Sequence, residues 1–459
     1  MSSSRLSMHG QWSSRFSFVA AAAGAAVGLG NIWKFPYIMG ENGGGAFVLV
    51  YLACILLLGL PILMAEILIG RRGRMSPGLS ARYLAIESDV SPVWQIAGWI
   101  GLVAGFLILS FYSVIAGWAF AYVPMSISGA FDGQNASYIG QLFADLTSDP
   151  VRLFFWSSLV IIATCIVVML GVKKGLEQAA RILMPGLFIL LIGLAIYAGI
   201  TGEFKTAVRF VFYPDFSKLT MNSVLIALGH AFFTLSLASG VMMTYGAYMA
   251  QKESIVKTAI WIAIADTLVA MIAAMVIYPI VFAHDLVAGQ GPGLIFVTLP
   301  VAFGSMTGGV VIGTLFFVML VFAAFTSTIA MIESVVAWQM EARRISRGRA
   351  CAEAGIVLWL LSTLTVASFA GFDVAKLNFN LLGKDIHHWF DLLDHLTSNM
   401  MLPIGGLMVA IFVGWMLKRE VSEQELNSNP LTYTIWRFCI RWLTPVAVCA
   451  VFLNLLGLL

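Results

Sequence analysis

The sequence predicts an all-α membrane protein with about eleven transmembrane helices, and three observations carry that expectation. Of its 459 residues, 60% are hydrophobic and only 11% are charged. The mean hydropathy is +0.92, far outside the range of a water-soluble domain. The apolar residues also gather into long runs separated by short charged turns. Finally, two runs are interrupted near their middle. One reads Gly24-Ala25-Ala26-Val27-Gly28-Leu29-Gly30-Asn31 and the other Thr234-Leu235-Ser236-Leu237-Ala238-Ser239-Gly240. Gly weakens a helix by about 1 kcal/mol relative to Ala, so the first stretch unwinds cheaply. Freed backbone groups in a membrane must bond something else, and paired interruptions in two halves of a chain point to a transporter binding site.

The spans fall at about 15–39, 45–70, 92–126, 153–171, 178–201, 220–249, 256–284, 308–340, 351–371, 388–417 and 432–457. Several exceed the roughly 20 residues a bilayer requires, which implies tilt or extension into water. The first run follows Arg5 and Arg15 but is too long for a signal peptide and leads into a second span. It reads as a retained helix. With the N-terminus inside, cytoplasmic Lys and Arg outnumber those outside by about three to one, which favours a cytoplasmic N-terminus. An odd span count then places the C-terminus outside.

Spans 1–5 start from the inside and spans 6–10 from the outside, so a five-helix unit repeated after an odd number of spans returns inverted: a 5+5 inverted repeat, with the interrupted spans 1 and 6 in equivalent places and unwound at mid-membrane. The expected organisation is a cytoplasmic segment 1–14 and a first repeat 15–202. An external loop 203–219, a second repeat 220–419 and a final unit 420–459 holding helix 11 follow. The formal charge of +3 is too small to suggest a nucleic-acid partner. The five cysteines lack metal-ligand spacing and read as free thiols. An intramembrane enzyme needs a nucleophile with a base, or a metal cluster, and neither pattern is present. A passive channel needs continuous polar stripes, whereas the polar groups here cluster at mid-depth.

The strings Gly24 to Pro36 and Glu41 to Phe47 resemble the start of a neurotransmitter:sodium symporter, and Ala231 to Leu237 and Phe325 to Ala330 resemble its sixth and eighth helices. The resemblance runs in order along nearly the whole chain. It implies a sodium-coupled symporter, not an enzyme, working by alternating access. The membrane lipid and an amino-acid substrate would be its partners. Two sodium ions would be held by hard oxygen ligands. Site 1 would use Ala26, Asn31, Thr234 and Asp266. Site 2 would use Gly24, Val27, Ala323, Thr326 and Ser327.

Asp266 stands where the family often has Asn, and a mid-membrane carboxylate costs roughly 2.5–3.5 kcal/mol on insertion scales. A Glu that some chloride-independent relatives carry one turn later is Ala270 here. The negative charge therefore rests on Asp266, and transport is expected to be chloride-independent. A structural pair between Asp266 and His230, with a proton-linked step, is the alternative. Glu66 is expected to accept hydrogen bonds from the interrupted part of span 6.

Amine transporters of the family carry Asp at the position of Gly28, so the substrate here is expected to bring its own carboxylate. The resemblance places the substrate among Ala25, Ala26, Leu29, Gly30, Ile108, Tyr112, Phe233, Thr234, Ser236, Ser239, Ser327 and Met331. Ala25 and Ser239 open room and Met331 adapts to irregular shapes, which favours a large hydrophobic or aromatic neutral amino acid. A small neutral amino acid or an uncharged aromatic is the alternative. Lys34 and Asp394 match the outer gate, and Trp12, Tyr248 and Glu341 the inner one. The Arg that usually pairs the inner acid aligns with His9, with Arg5 four residues earlier, and both remain candidates. Loop 127–152 lacks the Cys pair of eukaryotic relatives, which points to a bacterial inner membrane. Asn135-Ala136-Ser137 reads as a chance sequon.

Overall fold

The computed structural model describes residues 7–284, 291, 293–382 and 384–455. Among them, nine helices are long and apolar enough to cross a membrane, and the bent pair Arg15–Ala26 and Gly30–Glu41 makes ten. These are Gly45–Gly73, Pro92–Ile127, Pro150–Met169, Val172–Thr201, Ile255–Ala283, Gly309–Arg343, Arg347–Phe369, Trp389–Met416 and Pro430–Leu453. Met221–Thr234 has 14 residues and Val241–Ala247 has 7, so the run expected over 220–249 is two short helices rather than one span. Residue 459 and Arg5 lie outside the described residues.

The helices Pro92–Ile127 and Gly309–Arg343 pack side by side at the centre of the molecule. Glycines let backbone approach backbone there. A Cβ at Gly101 would lie 2.8 Å from the Gly240 nitrogen, and one at Gly105 would lie 2.6 Å from the Ser239 carbonyl oxygen. These two positions press the non-helical stretch 235–240 against the Pro92–Ile127 helix.

The first interruption is narrower than the sequence suggests. The helix runs through Gly24 and Ala25 to Ala26, Val27 turns extended (φ −69°, ψ 109°), and a wide turn over Gly30–Lys34 follows. The two parts meet at 53°. Gly24 stays helical because its neighbours are alanines, the best helix formers, and the small side chains fit among packed helices. The second interruption follows Thr234 and includes left-handed residues at Ser236 (φ 52°), Ala238 (φ 54°) and Gly240 (φ 76°). Two non-glycine residues in that region cost energy that the surrounding bonds must offset.

Two features outside the spans were not expected. An antiparallel hairpin pairs Lys376–Leu381 with Lys384–His388, with Phe379 opposite Ile386. A helix Ala136–Ser148 occupies the 127–152 loop, and the Asn135 side chain caps it by accepting from the Tyr138 N–H at 2.9 Å. Asn135 therefore has a structural role that explains its presence.

Candidate functional site

The backbone freed at the two breaks is satisfied by side chains of the breaks themselves, Asn31 and Ser236, and of two other helices, through Tyr112 and Glu66. The Gly28 N–H donates to Asn31 Oδ1 at 3.0 Å, and the Leu29 N–H donates to the Tyr112 hydroxyl at 3.2 Å. The Ser236 hydroxyl donates to the Ala25 carbonyl at 2.9 Å. The Ala238 N–H donates to Glu66 Oε1, the bond expected of that buried acid. Each group would otherwise be an unpaired dipole in a low-dielectric interior.

Beside the first break lies a buried polar cluster around Asp266. Asn31 Nδ2 donates to Asp266 Oδ1 at 2.7 Å and to Thr234 Oγ1 at 2.9 Å. The Thr234 hydroxyl donates to the carboxylate at 3.0 Å, and the Tyr51 hydroxyl at 3.3 Å. The alternative pair of Asp266 with His230 does not form. His230 instead lies against Phe35 and Tyr51, with ring centroids 5.8 and 5.5 Å away, and neither ring nitrogen has a partner among the described residues. The carboxylate takes its donors from the neutral side chains of Asn31, Thr234 and Tyr51. Asn31, Thr234 and Asp266 are thus in direct contact.

A second oxygen cluster sits where Gly309–Arg343 passes the same break. The Ser327 hydroxyl lies 3.4 Å from the Ala25 carbonyl, 3.5 Å from that of Val27 and 3.4 Å from that of Ala323. The Thr326 hydroxyl donates to the Ala323 carbonyl at 3.0 Å. Gly24 is adjacent, since a Cβ there would meet Thr326 Cβ at 3.3 Å. Val27, Ala323, Thr326 and Ser327 bring hydroxyls and a break carbonyl together, the hard oxygen chemistry that suits an alkali cation.

Between the two clusters is a cavity. Its floor and walls are Ala25, Ala26 and Gly30 from the first break, with Thr234, Ser236 and Ser239 from the second. Ile108 and Tyr112 come from Pro92–Ile127, Ser327 and Met331 from Gly309–Arg343, and Phe233 lies at its outer edge. Leu29 is not in this lining; it faces the adjoining outer cavity with Lys34, Phe233 and Asp394. Leu402, from Trp389–Met416, also lines the cavity. It was not found from the sequence, because nothing in an apolar run marks one leucine as facing inward.

Gly28 lines the cavity too, and a side chain there would force its neighbours to move. A Cβ there would stand 2.7 Å from Ser327 Oγ and 2.9 Å from the Tyr112 hydroxyl oxygen. We expect Gly28→Ala to weaken substrate binding by roughly tenfold or more, since overpacking of this kind typically costs about 1–3 kcal/mol. Equilibrium radioligand binding checks this, and an unchanged affinity would contradict the crowding.

The end that holds Trp12 and Glu341 is tied shut. The Trp12 N–H donates to the Tyr248 carbonyl at 3.1 Å, and the indole N–H to that of Tyr245 at 3.1 Å. Glu341 meets His9 Nε2 at 2.9 Å and accepts from the Ser76 N–H at 2.7 Å. Two partners were missed. The Tyr248 hydroxyl donates to buried Glu333 at 2.7 Å, and Arg347 pairs with the same carboxylate. Glu333 reads in sequence as one polar residue in an apolar helix, and its partner lies fourteen residues on.

The opposite end, which holds Lys34 and Asp394, differs from expectation. Lys34 and Asp394 line the same two cavities but make no ion pair. The Lys34 ammonium stands 4.5 Å over the Phe233 ring, and Asp394 accepts from the Ser398 hydroxyl at 3.1 Å. A single flexible ammonium can settle on an aromatic face, where the planar fork of an Arg would favour a carboxylate.

A fold of long apolar helices, interrupted around a mostly apolar cavity that is flanked by oxygen clusters, defines a membrane transporter. The model of the sodium:neurotransmitter symporter family matches residues 9–141 and 148–457, so the chain belongs to that family. It is therefore a multi-pass, sodium-coupled transport protein and not an enzyme. It is 35% identical over 453 residues to the uncharacterized sodium-dependent transporter YhdH of Bacillus subtilis, covering 98% of each chain. An uncharacterized sodium-dependent transporter of Haemophilus influenzae is 32% identical, over 96% of this chain and 97% of its own. Among solved structures, MhsT in complex with L-phenylalanine is similar with a TM-score of 0.88 and 40% identity, covering 97% of this chain and 99% of that one.

Proposed function

We propose that the protein is a bacterial, chloride-independent symporter that moves a large hydrophobic or aromatic amino acid with sodium. The observation that carries this is the cavity between the two breaks, neutral and mostly apolar on its side-chain side and lined by backbone polar groups at its other end. The similarity to MhsT, solved in complex with L-phenylalanine, supports the same substrate class. The substrate carboxylate would meet the Leu29 and Gly30 N–H groups, the Tyr112 hydroxyl and sodium at site 1. Its ammonium would meet the carbonyls of Ala26, Phe233 and Thr234. The Ser236 hydroxyl, also assigned to that ammonium, donates to Ala25 in this structure, so it would have to turn.

In this reading, Ala26, Asn31, Thr234 and Asp266 hold one sodium, and Gly24, Val27, Ala323, Thr326 and Ser327 hold the second. Asn31 Oδ1 now accepts from Gly28, so an amide rotation would accompany loading of site 1. The repeats 15–202 and 220–419 form the inverted pair, with helices 1 and 6 unwound at the breaks, segments 1–14 and 203–219 flanking them, and 420–459 added. The N-terminus faces the cytoplasm. With His9, Trp12, Tyr248 and Glu341 bonded and Lys34 and Asp394 apart, the conformation is closed inside and unlatched outside. Sodium and substrate would close Phe233 and Tyr112 over the site, after which the bundle of helices 1, 2, 6 and 7 rocks and the inner pairs break. Coupling of 1–3 kcal/mol between the two ligands is typical of such linkage, roughly 5- to 150-fold in affinity.

A thermal-shift screen of the twenty amino acids in sodium and in potassium tests the proposal. A ligand at a hundred times its Kd stabilises by about 2.7 kcal/mol, well above noise. Phenylalanine, tryptophan and leucine should stabilise in sodium only; stabilisation by glycine or alanine alone would overturn the substrate class. Ser239→Phe provides a sharper check. Ser239 is buried at the cavity wall, with its hydroxyl on the Ser236 carbonyl. An added ring should weaken aromatic substrates at least tenfold more than alanine, the scale set by overpacking penalties of about 1–3 kcal/mol. Equal losses, read in competition binding, would mean that the side chain points elsewhere.

A further inference from the structure

The cations at one end of the helix Trp389–Met416 are mostly matched to acids. Lys418 pairs with Asp89, Arg419 with Glu423, Arg71 with Glu425 and Arg72 with Glu87. Two arginines on the helix Pro430–Leu453 are not. Arg437 and Arg441 have no carboxylate within 4.0 Å among the described residues. Arg437 donates only to neutral hydroxyls, to Tyr433 at 2.9 Å and Ser422 at 3.2 Å. Arg441 lies with its guanidinium carbon 4.1 Å from the Trp415 ring centre and 5.9 Å from that of Trp442, and its buried Nε has no partner.

The frame around them is built. The Trp415 indole N–H donates to the Arg441 carbonyl at 3.0 Å, and the two tryptophan rings meet edge to face at 4.7 Å. A Cβ at Gly414 would come within 3.1 Å of Arg441 Cα, so the two helices touch there. Trp415, Trp442 and Phe438 are exposed on the same side. Tryptophans mark the headgroup level of a bilayer, and arginines one helical turn apart share a face. Two uncompensated guanidiniums at that level, beside apolar rings, match one ligand: a phosphate with acyl chains attached.

We propose that Arg437 and Arg441 hold the phosphate of an anionic phospholipid, with Trp415, Phe438 and Trp442 against its glycerol and upper acyl chains. The site is separate from the transport pathway, and none of these residues lines the central cavity. The occupant is a lipid rather than a free anion, because the exposed rings leave no closed polar pocket.

The test uses the intact transporter in detergent, incubated with phosphatidylglycerol or phosphatidylcholine of identical acyl chains, with bound lipid counted by native mass spectrometry. The unmodified protein should retain one phosphatidylglycerol per chain with roughly tenfold preference over phosphatidylcholine. The preference should vanish in Arg437→Gln/Arg441→Gln and weaken in Arg441→Gln, which leaves the Arg437 bonds in place. It should persist in Arg82→Gln, an exposed arginine elsewhere. Sodium-dependent substrate binding verifies that each variant is folded. Equal retention of the two lipids by the unmodified protein, or an unchanged preference in both arginine variants, overturns the proposal. Displacement of the lipid by millimolar inorganic phosphate would show a free-anion site and overturn it too.

Discussion

Replacing Thr326 and Ser327 together by alanine should abolish sodium-dependent substrate binding while leaving the protein folded. The argument rests on unequal magnitudes. In the structure the Thr326 hydroxyl bonds carbonyls of its own helix, Phe322 at 3.1 Å and Ala323 at 3.0 Å, and Ser327 makes only long contacts of 3.4–3.5 Å. Losing such neutral bonds costs about 1 kcal/mol each, and the helix keeps its backbone ladder. A sodium ion loses two of its five or so oxygens, which no water can replace at a buried break. The fold is therefore mildly affected and the ion site removed. Thermal shifts in sodium and potassium chloride, with radioligand binding at several sodium concentrations, separate the two effects. Retention of sodium dependence with unchanged affinity would refute the assignment of the second site.

Much of this site was legible because the informative residues are rare types in an apolar chain. Gly24, Gly28 and Gly30 among alanines, Asp266 as the lone acid of its run, and Glu66 before a charged turn each stand out against their surroundings. Their partners at long sequence separation did not. Leu402 is one leucine among many. Glu333 and Arg347 gain meaning only when the Tyr248 hydroxyl arrives between helices. His230, standing where the family often has Gln, offers itself in sequence as an alternative partner for Asp266. Tyr51 takes that place, turning its hydroxyl to the carboxylate and its ring to the imidazole. The extent of the first break was likewise overread. Glycine permits unwinding, but helix ends where backbone bonds find other partners, and here that begins at Val27 rather than Gly24. The hairpin over 376–388 lay in a polar stretch too short to separate from a loop.

Asp266→Asn should leave a folded transporter with uptake reduced at least tenfold, or with a new requirement for chloride. Asparagine has nearly the shape of aspartate, and its amide can still accept from Asn31 Nδ2. Its NH2 can face the Thr234 and Tyr51 hydroxyls, which accept as readily as they donate. What disappears is one negative charge. A unit charge about 4 Å from an ion is worth roughly 4 kcal/mol at an effective dielectric of 20, close to a thousandfold in affinity. Part of that is recovered because the buried carboxylate also costs energy whenever no sodium is bound. The residue supplies in fixed form what a mobile anion would otherwise bring, and Ala270 offers no substitute. Uptake by the unmodified protein should therefore be the same in chloride and in gluconate. Proteoliposomes loaded with the unmodified protein or with Asp266→Asn, assayed in both anions at equal sodium, decide the matter. Strict chloride dependence of the unmodified protein would remove Asp266 from its proposed role. Chloride-stimulated uptake confined to the variant would show that the carboxylate and the anion serve one electrostatic purpose.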